Sequence, residues 1–306
     1  MTHHSIWRTT RPAFAIAVAA AVVLASFAAV ARGGATAKPA VTIGTKNFTE
    51  QYVLGQLYKQ ALEAKGYKVS LKQDIGSSEL IDTAFKSGKV NFYAEYTGVL
   101  VGDIAKQPLP SSAAATWAAA KAFESSKRHA TLLQMTPFSD TDSFGMLTTT
   151  AKKLGVKTIP DMKKVKSFTF AGFPECRTRT TCLVGLQKTY GLTQIRFVPL
   201  GSISVYTLLD KGTVTSGDVF STDPQLEGSK YTVLTDTKHI FGFQNVAPVV
   251  SSKVASAGGA GFASIVNAVS AKLTVAAMRA MNKAVAIDKQ SPATVAGAFL
   301  KANGLA

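Results

Sequence analysis

The chain reads as an α/β protein of two units that enclose a cleft, and three observations predict it. Short apolar strands alternate with helical stretches from Val41 onward. The alternation breaks off and restarts once, so a second unit follows the first. A late apolar segment at 246–250 then returns the chain to the first unit, which requires two crossings between them. Strand–helix–strand order implies largely parallel sheets. Ligand sites favour the carboxyl ends of parallel strands and the clefts between domains.

The elements follow in order. Val41–Gly44 is the first predicted strand. A helix covers 50–65, with Val53, Leu54, Leu57 and Leu62 at helical spacing and Gly66 as its stop. A strand at 68–71, a helix at 78–87 and a strand at 90–93 come next. The alanine-rich stretch 111–128 is a helix by propensity, and a strand at 144–147 leads away from this unit. The second unit has strands at 168–171, 197–198 and 218–220, with helices at 183–190 and 203–210. Helices at 263–271, 275–286 and 292–302 finish the chain, and 258–261 is expected to be disordered. The first lobe is thus 38–142 with 248–306, and the second is 143–247.

The N-terminus predicts the compartment. Arg8 and Arg11 precede an apolar run over 12–31, closed by the small-residue sites Ala29-Val30-Ala31 and Ala35-Thr36-Ala37. This is the pattern of a secretory signal peptide, here 1–37, and implies export to the periplasm or the outer face of the cytoplasmic membrane. The run also approaches the ~20 residues of a membrane span, so a retained anchor is the other reading. The net charge is +16, and Arg8, Arg11 and Arg32 belong to the leader, which leaves +13. A basic chain raises nucleic acid as a partner. The lysines are scattered, however, and no segment joins dense Lys/Arg with aromatics, so no nucleic-acid partner is expected. Two cysteines, Cys176 and Cys182, in an exported chain read as one disulfide. With no histidine or third cysteine close by, they do not read as a metal site.

Catalytic patterns are missing. Beyond the leader the histidines are His129 and His239, both in polar surroundings, and neither H-E-x-x-H nor G-x-S-x-G occurs. The glycines at 212–217 have phosphate-loop spacing without the lysine, and read as a turn. Asp140 and Asp142 form the one candidate acid/base pair, and an exported hydrolase using them is the rival reading. No catalytic residue, cofactor or metal is expected.

Two segments stand out. Gly44-Thr45-Lys46-Asn47-Phe48-Thr49-Glu50-Gln51 follows the first strand and opens a helix, and Asn91-Phe92-Tyr93-Ala94-Glu95-Tyr96-Thr97-Gly98 follows another. With the segments 174–182, 218–223 and 244–249, they make residues 41–303 resemble the substrate-binding proteins of ABC importers for glycine betaine, choline, carnitine and related osmoprotectants. The resemblance implies a type II periplasmic-binding-protein fold. It also implies a monomer that closes on a small solute and passes it to a membrane permease with its ATPase. The solute's ammonium would sit in an aromatic box and its carboxylate on basic and polar groups. Lys46 and Arg179 fall at the carboxylate-binding positions, and Tyr96 and Phe220 at ring positions. Val99 replaces a threonine, Asp142 a box tyrosine, and Gln244 and Asn245 stand where relatives carry aromatics. The expected box is therefore poor in rings and rich in polar groups, with Asp142 placed to pair a cation directly. Another small solute, an amino acid or an aromatic compound, is the alternative within this class. Glu95 and Asp223 read as structural residues.

Overall fold

The structure is a computed structural model that describes residues 1–4 and 37–306. The predicted leader falls almost wholly outside the described residues. From Lys38 onward the chain builds two five-stranded sheets.

The first lobe begins with β1 (Val41–Gly44), α1 (Thr49–Ala64), β2 (Val69–Lys72), α2 (Ser78–Lys86) and β3 (Phe92–Tyr96). A short helical turn over Thr97–Val99 widens into Leu100–Ile104, and α3 (Ala113–Lys127) and β4 (Ala130–Leu132) follow. The chain then crosses to β5 (Asp142–Leu147), α4 (Thr148–Leu154), β6 (Phe168–Gly172), α5 (Leu183–Lys188), β7 (Ile195–Pro199), α6 (Val205–Asp210), β8 (Ser216–Phe220) and β9 (Tyr231–Val233). It returns as β10 (Val246–Ser251) and ends in α7 (Ser252–Lys272), α8 (Val275–Ala286) and α9 (Pro292–Ala302).

The sheet orders are β2-β1-β3-β10-β4 and β7-β6-β8-β5-β9. In the first, Val41 pairs with Val69 and Ile43 with Phe92 in parallel, while β10 runs antiparallel, Val246 opposite Tyr96 and Val249 opposite Leu132. In the second, Phe170 pairs with Phe197 and Ser216 in parallel, and β5 runs antiparallel with Asp142 opposite Phe220. Each sheet therefore has one reversed strand, supplied by the crossing chain. The two-residue sequence spacing that marks strands does not report that direction.

Helices cover both faces of the sheets, so the central strands are buried on both sides. Strand β3 is buried along its whole length, including Glu95, and the edge strand β2 alternates between half-buried and exposed. One core of the first lobe packs Leu54, Leu57 and Tyr58 of α1 against Phe92, Phe262 and Val266. The second lobe has its own core around Phe144, Phe170, Leu186 and Tyr190.

Three expectations change. Strand β3 runs to Tyr96 rather than stopping at Tyr93, because the lysine partner of Glu95 lets a charged residue lie in a buried strand. The edge strands β4 and β9, of three residues each, were too short to read. Residues 258–261 are not a disordered tract: they lie within α7, which breaks at Gly259 with φ 60° and ψ −161°. A left-handed φ suits glycine, and Val254 before the kink and Phe262 and Val266 after it, all buried in the core, hold the helix on both sides.

The crossings meet at an isolated bridge between Ser139 and Asn245. Asp140 N donates to Gln244 O at 3.0 Å, and Gln244 N donates to Ser139 Oγ at 3.0 Å. The sheet pairings put Asp142 in the second sheet and Val246 in the first, one and two residues from the boundaries read in the sequence.

Candidate functional site

A cavity of about 40 Å³ remains where the lobes meet. Its walls come from the carboxyl ends of β1, β3, β6 and β8 and from the start of β5, the position that parallel-sheet topology favours. Lys46, Tyr96, Asp140, Asp142, Arg179, Phe220 and Gln244 all line it. A wider groove of about 420 Å³ adjoins it and shares Phe48, Asp140, Phe173, Asp218 and Phe220.

Lys46 projects from the end of β1 into a buried network. It forms an ion pair with Glu95 of β3, and its Nζ lies 4.1 Å from the centroid of the Tyr96 ring. Burial pushes the Lys46 amine below its ordinary pKa, and the charge and hydrogen bond of Glu95 oppose that. Glu95 also accepts from Tyr96 N at 2.8 Å, while its other oxygen is buried without a hydrogen-bond partner among the described residues. Tyr96 in turn donates its hydroxyl to Glu50 Oε1 at 2.9 Å, in the first turn of α1.

Several contacts cross between the lobes. Arg179 of the second lobe forms a two-pronged ion pair with Glu79 at the start of α2, both bonds at 3.1 Å. Burial would raise the Glu79 pKa, but the Arg179 bonds and charge outweigh it and bring it down to about 2. Thr181 Oγ1 donates to Asp103 Oδ2 at 2.6 Å. Arg279 of α8 donates to Ser221 O through Nη2 at 2.6 Å. Thr222 Oγ1 lies 2.7 Å from both Glu50 Oε2 and Asp140 Oδ1. One hydroxyl carries one proton, so it satisfies only one of those carboxyl groups as a donor. The other contact needs a proton on Glu50 or Asp140, whose pKa values burial raises.

On the second lobe, Asp142 and Asp218 sit on the neighbouring strands β5 and β8 within hydrogen-bonding reach of each other. Burial pushes Asp142 up to about 6, against the pull of Arg179, and pushes Asp218 well above the usual carboxylate range. Asp218 Oδ1 is buried without a partner among the described residues. Sγ of Cys182 touches Asp218 Oδ2 at 3.7 Å, and that sulfur is bonded to Cys176. The Cys176–Cys182 disulfide therefore forms part of the cleft wall, and these sulfurs are not free to ligate a metal.

The expected shortage of rings is corrected. Phe48 stacks parallel to Phe220 at 5.8 Å and close to parallel with Tyr96 at 6.3 Å, and Phe173 lies 6.2 Å from Phe220. Four rings thus face the cavity. Phe48 was already visible inside the 44–51 segment, where its place just before α1 aims it into the cleft. Phe173 gave no signal beyond following a strand. Asn245 is the residue that the structure moves out of the wall. Its Nδ2 donates to Thr136 O and Phe138 O, both at 3.0 Å, which ties the crossing rather than facing the cavity. Gln244 stays in the wall, with Oε1 accepting from Val99 N at 3.0 Å and Nε2 donating to Phe241 O at 2.9 Å. Gly98 makes room for it, since a Cβ there would stand 2.7 Å from Nε2 of Gln244. Asp223, read as structural, accepts from Tyr206 Oη at 2.7 Å and Phe220 N at 2.8 Å.

Two α/β lobes joined by paired crossings and meeting on a cleft of rings and charges define a two-lobed solute-binding protein. The chain belongs to the family described as the substrate binding domain of the ABC-type glycine betaine transport system, whose profile matches residues 39–302. It is 32% identical over 279 residues to a glycine-betaine-binding protein of Pseudomonas aeruginosa, covering 86% of this chain and 88% of that one. It is 24% identical to the carnitine transport binding protein OpuCC of Listeria monocytogenes, covering 88% and 89%. The crystal structure of a glycine betaine/carnitine/choline ABC transporter superposes with a TM-score of 0.70 at 22% identity, over 87% of this chain and 99% of that one. These relatives are transport binding proteins rather than enzymes, and members of the family serve ABC importers outside the cytoplasm.

Proposed function

We propose that this protein captures a quaternary-ammonium or zwitterionic osmoprotectant and releases it to the permease of an ABC importer driven by its ATPase. In this reading residues 1–37 direct export, the chain acts as a monomer, and lobes 38–139 with 246–306 and 140–245 rotate about the crossings. The observation that carries it is the cluster of Phe48, Tyr96, Phe173 and Phe220 around a cavity that also holds carboxylates. A ring face attracts a cation by roughly 0.5–2 kcal/mol when water is excluded, so several rings hold a trimethylammonium group without needing its hydrogen bonds. Closure follows from better binding to the closed form. The hydrolase reading is weakened because Asp140 is held by Thr222 and Asp142 by Asp218, two separate pairings rather than a pair flanking one bond.

A thermal-shift screen of the purified protein against glycine betaine, choline, carnitine, proline and a set of amino acids tests the proposal. A solute at a hundred times its dissociation constant stabilises the fold by about 2.7 kcal/mol, a shift of a few degrees. A shift with an ammonium solute that is lost in Phe48→Ala supports the reading. Shifts with amino acids alone move the assignment to that class, and turnover of a substrate defeats it.

A further inference from the structure

The charges of the cleft do not suit a solute carboxylate. Two basic groups line it, and both already have partners: Lys46 is paired with Glu95, and Arg179 grips Glu79 with two parallel bonds. Once those pairs cancel, the acids Asp140, Asp142, Glu175 and Asp218 remain in the lining, and of these Asp142 and Asp218 stand side by side on neighbouring strands. Asp218 is buried and lines the cavity, and its Oδ1 has no hydrogen-bond partner among the described residues. Asp103 and Asp223 add like charge to the pair, and the opposing charge that acts on both is Arg179, which is already engaged. A carboxylate entering here meets like charge, and it competes with Glu95 and Glu79 for the charges of Lys46 and Arg179.

Resting on the osmoprotectant reading, we propose that the solute is a net cation without a carboxylate, with the Asp142–Asp218 pair as its counter-ion and Arg179 serving as a tie between lobes. The four rings accept the apolar faces of the cationic head, and the unpartnered oxygen of Asp218 supplies the charge that rings alone lack. Burial and the neighbouring Asp142 carboxylate push Asp218 well above the usual carboxylate range, and Asp142 lies within reach to accept its proton. An arriving cation takes over that proton's role, and binding then releases protons to solvent.

Choline and glycine betaine carry the same trimethylammonium head and differ in a hydroxyl against a carboxylate, so titration calorimetry with both reads the charge class directly. Choline is expected to bind at least tenfold tighter than glycine betaine. Its heat should change between buffers of different ionisation enthalpy, as proton release demands. Asp218→Asn, checked for an unchanged melting transition, should weaken choline by tenfold or more and narrow the gap to glycine betaine. Equal or tighter binding of glycine betaine by the parent protein overturns the proposal whatever the variant does. If neither binds, the osmoprotectant reading falls on its own, and agmatine against arginine and histamine against histidine decide the charge class. Binding of the decarboxylated member supports the proposal, and binding of the amino acid, or of neither, overturns it.

Discussion

Glu124 of α3 is buried with both carboxyl oxygens lacking hydrogen-bond partners among the described residues, and the buried Tyr93 hydroxyl also lacks one. Burial, then the charge of Glu95, pushes its pKa up to about 7 from an ordinary 4.5. An acid whose folded pKa exceeds its unfolded one keeps a proton that the unfolded chain releases. Its cost is therefore absent below the unfolded value, grows as pH rises through 4.5 to 7, and stands in full above that. Urea denaturation of Glu124→Gln against the parent should show a gain of up to about 3 kcal/mol at pH 8 and none at pH 4. Equal gains at both pH values would mean that charge is not the cause. Lys46 and Glu95 illustrate the contrasting case: burial opposes both charges, and each is tolerated through the other.

At the scale of elements, the segment 174–182 is a short loop closed by Cys176–Cys182, with Cα atoms 5.2 Å apart. It carries Arg179 and Thr181 toward the first lobe, so its conformation sets two of the cross-lobe contacts. Closing a ring this small restricts the unfolded chain by about 2 kcal/mol in the loop-entropy account. The double variant Cys176→Ser/Cys182→Ser should lose about that much stability in denaturant melts. Because both sulfurs belong to the cleft wall, it should also lose solute affinity measured by calorimetry. Loss of stability with full affinity would separate the loop's structural role from the cleft.

For the whole molecule, closure is the property at issue. The lobes are linked directly through Arg179–Glu79, Thr181–Asp103, Thr222–Glu50 and Arg279–Ser221. Interactions made only in the closed form shift the population toward it before a solute arrives. Glu79→Gln removes one charge from the tie at the mouth of the cleft. Small-angle scattering without solute should then give a larger radius of gyration than the parent, and saturating solute should return it. An unchanged radius would show that the remaining ties suffice. The Glu79 side chain is 40% exposed, so the tie is a partly screened one and should weaken further as salt is raised.

The strand and helix order, the disulfide and the motif residues Lys46 and Tyr96 were legible because they depend on local spacing and on short segments with little room for change. Periodicity alone placed most elements to within a few residues and set the α/β class. It missed β4 and β9, which have too few residues to show a period. It misread 258–261, where buried Phe262 and Val266 outweigh glycine's poor helix propensity. The make-up of the cleft was only half readable: Phe173 and Asp218 reach it from elements far apart in the chain, Glu79 holds the Arg179 of its wall, and Asn245 turns away from it. Which acid faces which base depends on how two lobes approach each other. That approach is decided by contacts between residues 58 to 172 positions apart, from Arg279 with Ser221 to Thr222 with Glu50, and no local pattern records it. The sequence by itself determined the class of protein and the types of residue available for a site. Only the tertiary structure decided that the two cations are already paired and that the surplus charge in the cleft is negative, because electrostatic pairing follows distance in space rather than distance along the chain.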